Sequence, residues 1–325
     1  MSRTAHEVLK HLSQELSYQP EIVGAASDVS NQAVVIGGMG GSALPALLLQ
    51  LLRPELTLDV HRGYDLPARI TDDSPCIAIS HSGNTVETLS FARQAHQRGH
   101  ELAVITTGGK LLEFARQNEL AYVQIPTDDI QPRYATGYLL KALCELLGLT
   151  ELGASLSTLQ SELRSPEQNQ RIASELVDSL EGKLPVIYAP APLAALAHSW
   201  KIKFNETAKV PAFMNVFPEL NHNEFTGFDT VKATRNVSEN ICFVMIDDQA
   251  DNRISQRMDI SAEILRDKGY DVLRVPHGGD NQLVALFDAV ALADWTTLLL
   301  AEAYGVEPFE VPMVEDLKVR LVDRG

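Results

Sequence analysis

Apolar and polar positions follow two rhythms along the 325 residues. Short β-branched runs at Ala33–Ile36, Thr57–His61, Cys76–Ser80, Leu102–Thr106 and Tyr122–Ile125 read as strands, and most are followed by a segment of helical period. This alternation predicts βαβ units and a parallel sheet covered on both faces. After Gly148 the pattern turns polar and helical to about Gly182, with Ser165-Pro166 as an interruption. It then resumes, with strands expected at Val186–Ala189, Ala212–Phe217, Ile241–Ile246 and Val272–Val275 and helices near Leu193–Glu206, Ile254–Lys268 and Leu283–Tyr304. The expected organisation is a first domain at 1–150 with an N-terminal helix (Val8, Leu9, Leu12, Leu16), a helical connection at 151–184, and a second domain at 185–325 with a C-terminal helix. "ATGYLLKALCELLGL" and "ADWTTLLLAEAYGVEP" close the two domains with similar apolar spacing and a terminal glycine, which points to an internal repeat.

Composition narrows the partners. A hydrophobic content of 45% suits ordinary buried cores, and a formal net charge of −16 with no Lys/Arg-rich run argues against nucleic acid or an anionic membrane as partner. An anionic ligand would therefore need a locally positive site. Cys76, Cys144 and Cys242 lie far apart without C-x-x-C pairing and read as small core residues in a reducing compartment. No h-region opens the chain and no apolar run is expected to reach spanning length, so the expected location is cytoplasmic.

Two loops at strand ends carry candidate chemistry. "VVIGGMGGSA" fits the G-x-G-x-x-G/A turn of a dinucleotide site through Gly38, Gly40 and Ala43, and equally a phosphate-monoester cradle through Gly40, Gly41 and Ser42. A dinucleotide site also wants an acidic residue about 20 positions on, and Asp59 stands near that distance but within a strand. "SHSGNTVETL" crowds Ser80, Ser82 and Thr85 around a Gly83-Asn84 turn at a helix start, where hydroxyls and backbone N–H groups favour a phosphate. The plainer alternative is a Ser/Thr N-cap. In a flavodoxin-like strand order the loops of Ser42 and Ser80 adjoin at the switch point, an arrangement that suits a compact phosphate monoester. The absence of G-x-x-x-x-G-K-[ST] removes a P-loop NTPase.

The densest polar cluster, Trp200 to Phe228, holds Glu206, Glu219, His222 and Glu224 among asparagines and aromatics. His222-x-Glu224 resembles a metal-ligand pair, but no H-E-x-x-H or P-C-x-x-C partner accompanies it. A Glu near a His can instead serve acid-base chemistry on a sugar. His96 and His100 straddle Gly99 and read as a solvated pair.

"GMGGS", "SHSGNT", "FNETAKVPAFMNVFPELNHNEFTG" and "VPMVEDLK" together resemble the successive signatures of the bifunctional phosphoglucose/phosphomannose isomerases, built from two sugar isomerase (SIS) domains. The resemblance spans nearly the whole chain and is most specific at Asn205–Gly227. It departs at Leu44-Pro45-Ala46, where small residues are usual, and at Val86, where an acidic residue is common. The implied fold is α/β, two flavodoxin-like SIS domains, each a parallel sheet with helices on both faces. The implied activity, in carbohydrate metabolism, interconverts glucose 6-phosphate and mannose 6-phosphate with fructose 6-phosphate through a cis-enediol. By the resemblance Gly41, Ser42, Ser80, Ser82 and Thr85 hold the substrate phosphate, Arg133 faces the C1–C2 end, Glu206 is the base, and His222 and Lys318 assist ring opening. The histidine can come from a second subunit, which implies a homodimer. No metal and no nicotinamide is needed, since the hydrogen moves as a proton. Val311 stands where members that accept both sugars carry a threonine.

Each residue also has a plainer reading: Arg133 paired with Asp128 or Asp129, Lys318 on an exposed helix face, Glu206 in an i,i+3 pair with Lys203. The competing functions are another SIS-type sugar-phosphate isomerase, a non-catalytic sugar-phosphate-binding regulator, and an NAD-dependent oxidoreductase.

Overall fold

The computed structural model describes residues 4–322 apart from 28, 30–31, 128–129, 230 and 249–250. The chain forms two units, residues 1–164 with 279–288, and residues 165–278 with 289–325. The expected connection at 151–184 is divided between them. Helix Thr150–Thr158 lies in the first unit, whereas helix Pro166–Leu180 opens the second. The Ser165-Pro166 interruption is the reason: Ser165 and Gln168 form a reciprocal capping box, and proline at the first helical position needs no N–H partner, so the pair starts a new helix.

The first unit holds β1 (Ile22–Val23), β2 (Val34–Gly38), β3 (Leu58–His61), β4 (Cys76–Ser80), β5 (Leu102–Thr106) and β6 (Ala121–Gln124), in the order β1-β6-β5-β4-β2-β3. All neighbours from β6 to β3 are parallel, and β1 alone is antiparallel, on the edge beside β6. The parallel part is the flavodoxin order, with its switch point between β2 and β4. Period-2 alternation sorts the core: Val35, Cys76, Ala78 and Val104 pack on Phe91, Ala92 and Ala95 of helix Val86–Gln97 and on Leu111 and Ala115 of helix Gly109–Gln117. Ile36, Ile77, Ile79 and Ile105 point the other way and are buried on the side of helices Leu44–Leu52 and Thr136–Leu146. Gly37 of β2 lets Phe91 approach the sheet; a Cβ there would lie 2.4 Å from the ring.

The second unit repeats the pattern with fewer strands. β7 (Leu184–Pro190), β8 (Phe213–Phe217), β9 (Ile241–Ile246) and β10 (Asp271–Val275) are all parallel, in the order β10-β9-β7-β8. Val186, Tyr188, Phe243 and Met245 pack on Met258, Ala262 and Leu265 of helix Asn252–Asp267. Helix Ala194–Glu206 covers the opposite face against β7 and β8.

Helix Gln282–Tyr304 corrects one expectation. By length and composition it could cross a membrane, although no apolar run was expected to reach that length. Asp288 and Asp294 break the run in sequence, but each is paired, with Arg164 and Lys203, so the helix is tolerated as a mostly buried core element. The three cysteines are buried as expected, and burial pushes each thiol up to about 12.

Candidate active site

The two serine loops meet at the switch point of the first sheet. β2 runs into a 3-10 turn at Gly40–Ser42, and β4 runs into residues 81–85 before helix Val86–Gln97. The backbone N–H of His81 donates to Ser42 Oγ at 3.0 Å, which ties one loop to the other. Ser80 Oγ lies 3.0 Å from Thr85 Oγ1 and accepts from the Gly83 N–H at 3.1 Å, while Ser82 Oγ accepts from the Asn84 N–H at 3.3 Å. The hydroxyls of both loops are therefore joined into one hydrogen-bonded turn. Ser42 and Ser80 are buried, Thr85 is half-buried and Ser82 is exposed. Thr85 occupies the N-cap position, yet its side chain makes no capping bond. The plain N-cap alternative is not realised, and the first-turn N–H groups of a twelve-residue helix have no side-chain cap beside these hydroxyls.

A third loop, which no sequence motif singles out, clamps this turn from behind. The His81 carbonyl accepts from both the N–H (3.0 Å) and the hydroxyl (2.6 Å) of Thr107, and Gly83 O accepts from the Leu111 N–H at 2.9 Å. Asn84 spans the gap, donating to Ser82 O at 3.1 Å and accepting from the Lys110 N–H at 3.2 Å. Gly83, at φ 66°, is required: a Cβ there would fall 1.8 Å from Gly108 O. His81 itself is buried, its Nε2 has no hydrogen-bond partner among the described residues, and burial lowers its pKa to about 4, so the imidazole is neutral inside the loop.

Gly41 brings Arg133 to the same place. A Cβ on Gly41 would lie 2.9 Å from the Arg133 backbone nitrogen, so glycine allows the turn Pro132–Tyr134 to lie directly on the Ser42 loop. Arg133 is buried, with its guanidinium carbon 4.9 Å from the centroid of the Tyr134 ring. Asp128 and Asp129, its alternative partners from the sequence, lie outside the described residues. Asp59 has a different role from ribose binding: Arg69 holds its carboxylate with two bonds of 2.7 and 3.0 Å and lowers its pKa.

In the second unit, Glu206 is the last residue of helix Ala194–Glu206 and is half-buried. Its expected i,i+3 neighbour Lys203 is buried and donates to Asp294. The helix end is further held by the Ala212 N–H, which donates to Asn205 Oδ1 at 2.8 Å. His222 ends the turn Glu219–His222 and is exposed, whereas Leu220 in the same turn is buried. Glu224, two residues on, binds Tyr188 Oη of β7 and Asn215 Nδ2 of β8, both at 2.6 Å. Burial and this carboxylate push the Tyr188 hydroxyl well above its usual pKa. Glu224 thus braces two neighbouring strands. Among the described residues, no three His, Cys, Asp or Glu side chains gather as a metal site.

Lys318 lies on the exposed helix Pro312–Val322 in an i,i+3 pair with Glu315 at 2.7 Å, which is the plainer reading of that residue. The solvated pair His96 and His100 is corrected. Gly99, at φ 77°, ends the helix and turns His100 inward, where Nδ1 meets Ser74 O at 3.1 Å, and only His96 is exposed, edge-on to Phe114.

The chain is similar to known proteins over most of its length. A family model described as the bacterial phospho-glucose isomerase C-terminal SIS domain matches residues 169–321. A bifunctional phosphoglucose/phosphomannose isomerase of Caldicellulosiruptor bescii is 34% identical over 98% of this chain and 95% of its own length. One from Aquifex aeolicus is 32% identical, covering 89% of this chain and 90% of its own. Among solved structures, a hypothetical protein from Thermus thermophilus superposes with a TM-score of 0.71 at 18% identity, over 99% of this chain and 87% of that one.

Proposed function

From its membership of the bifunctional phosphoglucose/phosphomannose isomerase family, to which this chain belongs, we infer that it is an aldose-ketose isomerase. It interconverts glucose 6-phosphate and mannose 6-phosphate with fructose 6-phosphate by proton transfer through a cis-enediol. The observation that carries the phosphate half of this reading is the His81–Ser42 bond, which makes one hydroxyl-lined turn from two strand ends.

In this reading Gly41, Ser42, Ser80, Ser82 and Thr85 receive the 6-phosphate, aided by the positive end of helix Val86–Gln97. Arg133, lying against Gly41, supplies the fixed positive charge that an acidic protein must concentrate for an anionic substrate, and offsets the charge on the enediolate oxygen. Glu206 removes the C2 proton of the open-chain aldose and returns a proton to C1, while the hydroxyl proton passes from O2 to O1 at the enediol stage; the reverse reaction uses the same carboxylate. Because C2 becomes planar in the enediol, one intermediate leads to both aldoses. The hydrogen travels as a proton, so the chemistry requires neither nicotinamide nor metal.

His222 and Lys318 serve ring opening. The histidine can be supplied by a second subunit in a homodimer, and His222 is exposed. The two units correspond to two SIS domains, and the proposed location is the cytoplasm. Replacing Glu206 by Gln keeps its shape and removes its basicity, so coupled assays should show kcat lower by about 10² or more with substrate binding retained. Near-normal turnover would reject Glu206 as the base.

A further inference from the structure

Lys209 follows helix Ala194–Glu206 in a left-handed backbone conformation, φ 58°, that glycine or asparagine adopts at far lower cost. It is half-buried, and its ammonium donates to the main-chain carbonyl of Glu206 and reaches that of Pro308 at 3.4 Å. The Val210 N–H returns to Phe204 O at 3.1 Å, closing the turn around the same helix end. A lysine in a position suited to glycine, with its charge directed at two carbonyl oxygens rather than at solvent, is accounted for by what its side chain holds.

The two carbonyls belong to segments with separate roles. Glu206 ends the helix that presents the base. Pro308 lies three residues before Val311 and leads into helix Pro312–Val322, which carries Lys318. We propose that Lys209 is a positioning residue for the isomerisation: its ammonium fixes the backbone of Glu206 and fastens the Pro308 segment to it, so that the carboxylate and the start of the C-terminal helix keep one mutual placement. This rests on the reading of Glu206 as the base. A cation at the carbonyl end of a helix is favourable in itself, so stability alone would not reveal this role.

The test separates backbone from ammonium. Lys209→Gly permits the left-handed conformation and removes the charge; Lys209→Asn does the same with a short polar side chain; Lys209→Arg keeps a cation of similar reach. In steady-state assays with fructose 6-phosphate, the glycine and asparagine variants should lose about ten-fold or more in kcat with KM changed less than about two-fold, because misplacement of a base by about 1 Å is costly while phosphate binding is untouched. Lys209→Arg should recover most of the loss. Circular dichroism establishes that each variant is folded, and if the glycine variant is not, the asparagine and arginine variants decide. Unchanged kcat in folded Lys209→Asn, or an equal loss in Lys209→Arg, would overturn the proposal. Glu206→Gln measured alongside keeps the outcomes apart: if it stays active the base assignment fails, and if it is inactive while Lys209→Gly is normal only the positioning role fails.

Discussion

The backbone N–H of His81 donates to the hydroxyl of Ser42 at 3.0 Å, so the loop after β4 hangs on a side chain from the loop after β2. Ser42 and Ser82 are therefore expected to fail differently. Ser42→Ala leaves a buried N–H without its acceptor and should cost about 1–3 kcal/mol of stability along with substrate affinity. Ser82 is exposed, and its hydroxyl accepts from Asn84 only two residues on. Ser82→Ala combined with Thr85→Ala should raise KM for fructose 6-phosphate several-fold with a smaller change in Tm. Thermal melts beside kinetics check this, and unchanged kinetics in the folded double variant would move the phosphate elsewhere.

Burial holds His81 neutral, with a pKa of about 4 against 6.5 for the free side chain. Between those values the unfolded chain binds a proton that the native chain does not, so stability falls as pH drops from about 6.5 towards 4 and is insensitive to this group above that window. The full effect is up to about 3 kcal/mol. His277, also shifted down by burial, acts in the same direction. Denaturant melts at about pH 7.5 and about pH 5 should show a smaller acid loss for His81→Gln than for the parent. An identical loss would mean that the imidazole is protonated in the native loop.

The repeating α/β architecture is legible because parallel strands buried on both faces are short apolar runs, as β2, β4, β5, β7 and β9 are, and the less buried β3, β6, β8 and β10 follow at regular intervals between helical segments. β1 was not, since two residues pairing at a sheet edge carry no period. In sequence Glu224 resembles a ligand beside His222, but its partners Tyr188 and Asn215 come from neighbouring strands 36 and 9 residues away, a relation visible only after β7 and β8 pair. A single hydroxyl at that turn reads as a cap, the three of Ser80, Ser82 and Thr85 together read as a cradle, and the choice depends on where the Thr85 hydroxyl points. Lys209 has no sequence signal at all, because a left-handed residue that is not glycine or asparagine looks like any other lysine.

Specificity between the aldoses is expected to depend on room beside C1 and C2. Val311, whose carbonyl accepts from the Val314 N–H at 2.9 Å, stands just ahead of helix Pro312–Val322. Valine has nearly the volume of the threonine expected there without its hydroxyl, so both sugars should turn over. Val311→Gln should suppress mannose 6-phosphate turnover more than glucose 6-phosphate turnover, read in parallel coupled assays. Equal losses on the two sugars would separate Val311 from the choice.

In the proposed reaction one chain makes both aldoses from one ketose by moving a proton. Its most direct measurement is a proton NMR time course of fructose 6-phosphate with the purified protein in D₂O. Glucose 6-phosphate and mannose 6-phosphate are both expected to appear, with deuterium from solvent at C2 of each, because the carboxylate exchanges its proton while the enediol is bound. Formation of a single aldose, or of both without any solvent deuterium at the reacting carbons, would contradict it.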